Sequence, residues 1–544
     1  MNGSPLPPNF AHTSVVLGHM TCCMKHLFAP LFLLSFGSAS ATNFYVSPTG
    51  SNGNNGLSQA APFGTLQYAS QQAFPGDTVF AMNGTYTNSQ PGTAVMTVWR
   101  SGTANAWITY RNLPGHTPVV QLTSNWAGIG VDGEDYIIVD GFTIIGNNAN
   151  ITLAYALSEQ NNTNNPATSG NGIGIAQQFG NPTERSHHVI VRNCTIRDCG
   201  GGGIYTYQAD HVSILNNTVL NCGWYAPYGN SGISNFQNWN SDGGTGIKMR
   251  IEGNLCAGNF NYVPFIAAGS ITDGNGIILD DSRNTQNGST LGVYPGGTYV
   301  ANNVCFANGG RGIHAFYADH ITVVNNTTYH NCLSPAIDDG EFTAYYVSDM
   351  TFRNNIAMPE AGTPPMDQFN ATALTVDHNL WGANSGLADP FGTNTLVGDP
   401  LFVAPSEDPA LANFQLVASS PAIDTGSDTE APLVDLLGTQ RSLGSVDRGA
   451  YEFLLSTAVS EVADAIAWQV LQDPANALVL VALPEDASAL SAELRVVDAR
   501  GRMVARERVS STRLWLDVSK WGAGVYVVEL VTTAGSQGVR SFVR

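Results

Sequence analysis

"VSILNNTVLNCG" (residues 212–223) and "ITVVNNTTYHNC" (321–332) are two copies of one pattern: a short β-branched run, an asparagine, and a second short run. "VIVRNCTIRDCG" (189–200) and "YVANNVCFANGG" (299–310) repeat it, and "MRIEGNLCAGN" (249–259) and "MTFRNNIA" (350–357) are looser copies. Asparagine returns in one register at Asn217, Asn254, Asn303, Asn326 and Asn355. Between the copies lies a second unit that opens with Gly-Ile: "GIGIAQ" (172), "GIYTYQ" (203), "GISNFQ" (232), "GIILDD" (276) and "GIHAFY" (312). Each strand is too short to bury its own apolar face. Repetition every two dozen residues or so therefore predicts a stacked solenoid, one coil per repeat. The asparagine column reads as structural, satisfying turn backbone and stacking amide on amide.

The pattern resembles a right-handed parallel β-helix, with neighbouring coils about 4.8 Å apart. Alternation along a strand then sends Ile173, Ile204, Ile233, Ile277 and Ile313 into the core. Two columns face out. The first reads Gly174, Tyr205, Ser234, Ile278, His314, and the second Ala176, Tyr207, Phe236, Asp280, Phe316. The next position reads Gln177, Gln208, Gln237, Asp281, Tyr317, a glutamine ladder whose change to a carboxylate the ladder does not account for. Insertions at 238–247, 259–273 and 282–297 fall on adjacent coils, and insertions of this kind wall binding sites in repeat folds. They bracket a cleft of Lys248, Arg250, Tyr262, Asp273, Asp280, Asp281, Arg283, Arg311 and His314, with Tyr205, Tyr207, Phe236 and Phe316 as a sugar-stacking platform.

Composition limits the partners. The net charge of -20 disfavours nucleic acid and anionic membranes. Glycine is abundant at 58 residues, and no amphipathic helical period dominates, so the chain reads as all-β. Only three of 22 basic side chains are lysines, and Lys248 alone lies between the leader and the C-terminal appendage. "MKHLFAPLFLLSFGSASA" (24–41) has the basic start, apolar run and small-x-small ending of a secretory signal peptide, which makes Met24 the expected start. Of the eight cysteines, Cys194, Cys199, Cys222, Cys256, Cys305 and Cys332 follow it. Their spacing is not that of a zinc site. Cys199 and Cys222 fall one repeat apart and can pair, or all six can be buried thiols.

Three further segments carry resemblances. "FYVSPTGSNGNNGLSQAAPFGTLQYASQQAFPGDTVFAMNGTY" (44–86) is similar to the opening of many secreted β-helix proteins, its "PFGTLQYASQQA" implying a helix that caps the solenoid. "GDPLFV", "SSPAIDTG" and "DRGAYEF" (398–453) resemble the closing segment of such helices. "AELRVVDARGRMVARERVSSTRLWLDVSKWGAGVYVVELVTTAGSQGVRSFVR" (492–544) resembles the C-terminal sorting domain of type IX secretion, with Asp473-Pro474 where that family usually has Asn-Pro. The implied architecture is a leader and over-extended start (1–41), a right-handed parallel β-helix (42–385), its closing cap (386–455) and a small C-terminal β-sandwich for sorting (456–544). The implied location is secreted or attached to the cell surface. The chain is expected to act as a monomer, with the secretion machinery as a partner.

"ITDGNGIILDDSRNTQNGS" (271–289) and "GGRGIHAFYADH" (309–320) resemble segments of secreted β-helix proteins related to polysaccharide lyases of the pectate and alginate type. That resemblance implies β-elimination on an acidic, uronate-containing polysaccharide. The sugar carboxylate must be neutralised, the C5 proton removed and the leaving oxygen protonated. Asp273, Asp280 and Asp281 are the candidate Ca²⁺ ligands, and Arg283 and Arg311 the direct alternative. Lys248 is the candidate base, its pKa lowered by desolvation and by Arg250. Tyr205, Tyr207 or His314 would supply the proton, with Tyr262, Phe236 and Phe316 binding sugar. The competing expectations are a glycoside hydrolase using an Asp pair and a non-catalytic glycan-binding or adhesion module.

Overall fold

The structure is a computed structural model that describes residues 41–382, 391–441, 446–454 and most of 469–543. The leader expected at 24–41 lies almost wholly outside the described residues.

Each coil contributes three strands, and successive coils pair in parallel to make three long sheets. Sheet I holds the Gly-Ile strands: Asn171–Gln178, the first half of Ile204–Leu215, Ile233–Asn238, Ile277–Asp280 and Ile313–Phe316. Phe342–Tyr345 and Met366–Phe369 extend it, and Ala94–Thr97 and Ala127–Asp132 precede it. Sheet II carries the strands before the asparagine column, among them the second half of Ile204–Leu215, Ile247–Glu252, Gly297–Ala301 and Asp319–Val324. Sheet III is built of three-residue strands such as Thr218–Leu220, Leu255–Ala257 and Val304–Phe306.

The core lies inside the coils. Ile173, Ile204, Ile233, Ile277 and Ile313 are each fully buried and pair in register. Full burial of each stabilises by roughly 1.5–3 kcal/mol before entropy is counted. The corners are turned by residues in the left-handed conformation, including Gln208, Gln237, Asp281 and Tyr317 between sheets I and II and Asn216, Asn302, Asn325 and Asn354 between sheets II and III.

The asparagine column is a continuous ladder. The carboxamide oxygen of Asn254 accepts from both the backbone N–H and the side-chain amide of Asn217, and Asn303, Asn326, Asn355 and Asn379 each do the same for the asparagine before them, all at 2.9–3.0 Å. A second ladder, through Asn259, Asn308 and Asn331, ends on the buried carboxyl of Glu341.

At the N-terminal end, Thr65 caps the helix Leu66–Gln72, whose Leu66 and Ala69 bury against the first coils. Two strands of the closing segment, Phe402–Ala404 and Asn413–Leu416, pair antiparallel, and Phe414 packs on Phe306 and Tyr329 of sheet III. The C-terminal part forms a three-stranded and a four-stranded antiparallel sheet around Val481, Leu494, Val496, Val528 and Leu530. The six cysteines are free thiols, five of them buried. Among the described residues no helix is long and apolar enough to cross a membrane.

Candidate active site

Sheet I presents the two outward columns that alternation requires. Pairing aligns Gly174, Tyr205, Ser234, Ile278 and His314 in one, and Ala176, Tyr207, Phe236, Asp280 and Phe316 in the other. The columns run further than the Gly-Ile repeat suggests. Gly130 and Asp132 precede them, and Thr343 and Tyr345, then Asp367 and Phe369, follow. These later coils lack the Gly-Ile signal, since Glu341-Phe342 and Pro365-Met366 replace it. Counting back from Asn355 and Asn379 in the ladder would have located them. The rings of Tyr207 and Phe236 stack 5.6 Å apart at 9°.

Asp280 lies on this floor between Phe236 and Phe316. One carboxyl oxygen accepts from the Gln286 side chain at 2.7 Å, and no described residue bonds the other. Burial, then repulsion from Asp273, push its pKa well above the ordinary carboxylate value. Asp273 is also raised by burial, but Thr272, Arg311 and Asn275 oppose the shift. The two carboxyls are close enough to repel, and burial favours the protonated form of each. Beyond them, burial and the nearby Arg311 keep His314 uncharged. Its Nδ1 bonds Thr343, and Tyr345 meets its ring edge-on at 5.7 Å. Arg311 is ion-paired to Asp339 and donates to the Thr272 carbonyl at 2.6 Å. The Tyr345 hydroxyl bridges Asp339 and Asp367. Sequence reasoning missed Asp339, Tyr345, Asp367 and Asp132.

Lys248 is not part of this groove. It lies on sheet II, and its ammonium, almost fully buried, donates to Asp210 at 2.7 Å, Asn240 at 2.7 Å and Asp242 at 2.6 Å. All three N–H bonds are spent on these acceptors, which fix the side chain on sheet II. Asp210 is itself held by the Tyr294 hydroxyl at 2.5 Å and by Ser241, and Asp242 by His211 at 2.9 Å. Lys248 therefore fastens the loop after Ile233–Asn238 to a corner aspartate, and Tyr294 fastens the loop after Ile277–Asp280 to the same one. Arg283 does the same one corner on, with a two-pronged bond to Asp319 at 2.7 and 2.8 Å. Arg250 points to solvent on sheet II and pairs with Glu252. Tyr262 belongs to an aromatic cluster with Trp224 and Phe260 rather than to the two columns.

Asp281 is a structural residue. Gln208 donates to Gln237 at 2.8 Å and Gln237 to Asp281 at 2.9 Å, and the Thr285 backbone and hydroxyl and the Gln286 backbone fill its remaining positions. The carboxylate is the end of the amide ladder, whose other end is Arg185, not Gln177. Ca²⁺ takes six to eight oxygen ligands at about 2.3–2.6 Å. Each Asp281 oxygen already accepts two hydrogen bonds, so Asp281 does not fit the ion, whereas Asp273 and Asp280 each keep lone pairs. Acidic groups do converge elsewhere among the described residues. Asp210, His211 and Asp242 form one cluster, in which the Lys248 ammonium bonds both carboxylates, and His330, Glu360 and Glu407 form another.

Residues 44–340, more than half the chain, match the family model of the Pel9A-like right-handed β-helix region. The chain belongs to this Pel9A-like family. Residues 473–543 match the secretion system C-terminal sorting domain, which marks the protein for type IX export to the cell surface or beyond. No curated protein matches. Among solved structures, pectate lyase Pel9A is 18% identical with a TM-score of 0.46, over 76% of this chain and 97% of that one. A rhamnogalacturonan lyase is 16% identical (TM-score 0.37, 70% and 97%), and a glycoside hydrolase 9% identical (TM-score 0.43, 66% and 96%). At such identities the likeness is one of fold.

Proposed function

We propose that this exported protein cleaves a neutral polysaccharide by hydrolysis in the sheet I groove, with Asp280 as general acid. The observation that carries the reading is the Asp280 carboxyl on the groove floor, one oxygen without a partner among the described residues, flanked along its column by Phe236 and Phe316, with burial and then Asp273 favouring its protonated form. Asp280 would give its proton to the glycosidic oxygen as the bond to the anomeric carbon breaks. Asp273, steadied by Arg311, would act on the opposite side, either activating water or attacking the anomeric carbon itself. Stacked Tyr207 and Phe236 suit the apolar faces of sugar rings. Charge favours a neutral chain: Arg283, Arg250 and Lys248 are ion-paired away from the groove, and Arg311 is held by Asp339 with only its Nε unpartnered.

β-Elimination on a uronate polymer is the second reading, favoured by membership of a family named after Pel9A. It would need His314 for proton transfer in place of Lys248. It would also need the sugar carboxylate neutralised, by Arg311 released from Asp339 or by Ca²⁺ on ligands that do not include Asp281. The test is the full protein against xylan, glucomannan, galactan, polygalacturonate and alginate, following reducing ends and near-ultraviolet absorbance together. Reducing ends without absorbance, from a neutral polymer, are expected. Absorbance rising with reducing ends would establish the lyase, and binding without turnover a glycan-binding module.

A further inference from the structure

The column that holds Asp280 does not stop at the aromatic pair. It continues through Phe236, Tyr207 and Ala176 to Asp132. Four inter-strand steps of about 4.8 Å put Asp132 roughly 19 Å from Asp280 along the helix axis. There the surface opens into a cavity of about 400 Å³ lined by Trp99, Asp132, Glu134, Gln178 and Phe179. Phe179 sits at the tip of the hairpin joining Asn171–Gln178 to Asn181–Arg185 and is fully exposed, and Trp99 is 55% exposed. Large apolar rings left in water around a polar cavity mark binding surfaces.

The polar groups fit a sugar. No described residue donates a hydrogen bond to Asp132, although burial raises its carboxyl to about 6. Glu134 spends one oxygen on the Ser101 hydroxyl at 2.7 Å. Beside the cavity, a Cβ on Gly174 would lie 2.6 Å from the Tyr205 ring, so the tyrosine lies across the glycine, where burial and then Asp132 raise its pKa. Tyr205 thus belongs to this end of the groove and not to the Asp280 centre. The lining has carboxyls, a carboxamide and two aromatic faces, and no cation. That combination accepts hydroxyls and ring faces and repels a uronate.

We propose that this cavity is a distal subsite that holds a neutral sugar unit of the same polysaccharide chain, so that substrate lies along the helix axis and long chains are preferred. The inference rests on the groove being the glycan site, and it adds where the chain continues and what it carries there. Trp99→Ala/Phe179→Ala removes two exposed rings and should leave the thermal melt unchanged. Affinity electrophoresis of the full protein in xylan, glucomannan and galactan, with polygalacturonate as anionic control, reads binding of long chains. Hydrolysis of the corresponding trisaccharides reads the centre alone. The expected result is at least tenfold weaker retention by one neutral polymer, unchanged trisaccharide turnover, and no retention by polygalacturonate for either form. Retention equal to that of the parent protein, or an equal loss on trisaccharide, would overturn the subsite. Asp280→Asn separates the two readings. If it keeps turnover while the double variant loses retention, the catalytic assignment falls and the subsite stands.

Discussion

Lys248 shows how one rare residue can mislead. Its scarcity suggested tuned chemistry, but three acceptors converging on one point select a compact ammonium with three donors, which arginine's planar fork cannot reproduce. The sequence did carry a clue, since Asp210-His211 recurs as Asp319-His320 and both aspartates hold a cation, Lys248 from a sheet II strand and Arg283 from an inserted loop. Removing one partner of a buried ion pair costs about 3–5 kcal/mol. Lys248→Ala should lose that much in urea unfolding while the folded fraction keeps its specific rate. Loss of turnover at unchanged stability would restore Lys248 to the chemistry. Asp280 and Asp281 are neighbours in sequence with opposite fates, because alternation turns one outward and the corner turns the other onto the glutamine ladder. Asp280 acts only when protonated. Its rate should therefore fall as pH rises through its raised pKa, and Asp280→Asn should remove both that limb and nearly all turnover.

At the scale of strands, the isoleucine period and the two outward columns were legible because alternation is strict within a parallel ladder. Coils built on Phe342 and Met366 were not, because only the position of the core residue persists there and not its glycine-isoleucine spelling. The second ladder was legible too, since Asn259, Asn308 and Asn331 each follow the first asparagine column by five residues. It ends on Glu341, which burial holds up at about 7 against an ordinary 4.5. The fold favours the protonated form, so this contribution is complete below about pH 4.5 and is lost as pH rises to about 7, a cost of about 3 kcal/mol. Glu341→Gln should be the more stable protein at pH 8 and lose its advantage at pH 4, measured by denaturant midpoints at the two values. A gap that does not change with pH would contradict the assignment.

Across the whole molecule, the repeat makes a long rigid rail, the insertions fasten its corners, and the sorting domain carries it out of the cell. Family membership and export were legible from local sequence. The active groove was legible only in part, because Arg311 with Asp339 and Tyr345 with Asp367 meet through stacking of coils, not through spacing along the chain. The central claim is that the acid at Asp280, not a base at Lys248, cleaves a neutral chain. The most direct measurement is the paired time course of reducing ends and near-ultraviolet absorbance for the parent protein and Asp280→Asn on the neutral polymer it degrades. The account predicts reducing ends without absorbance from the parent and almost none from the variant. Absorbance rising with the reducing ends on a uronate polymer, or an Asp280→Asn protein as active as its parent, would contradict it.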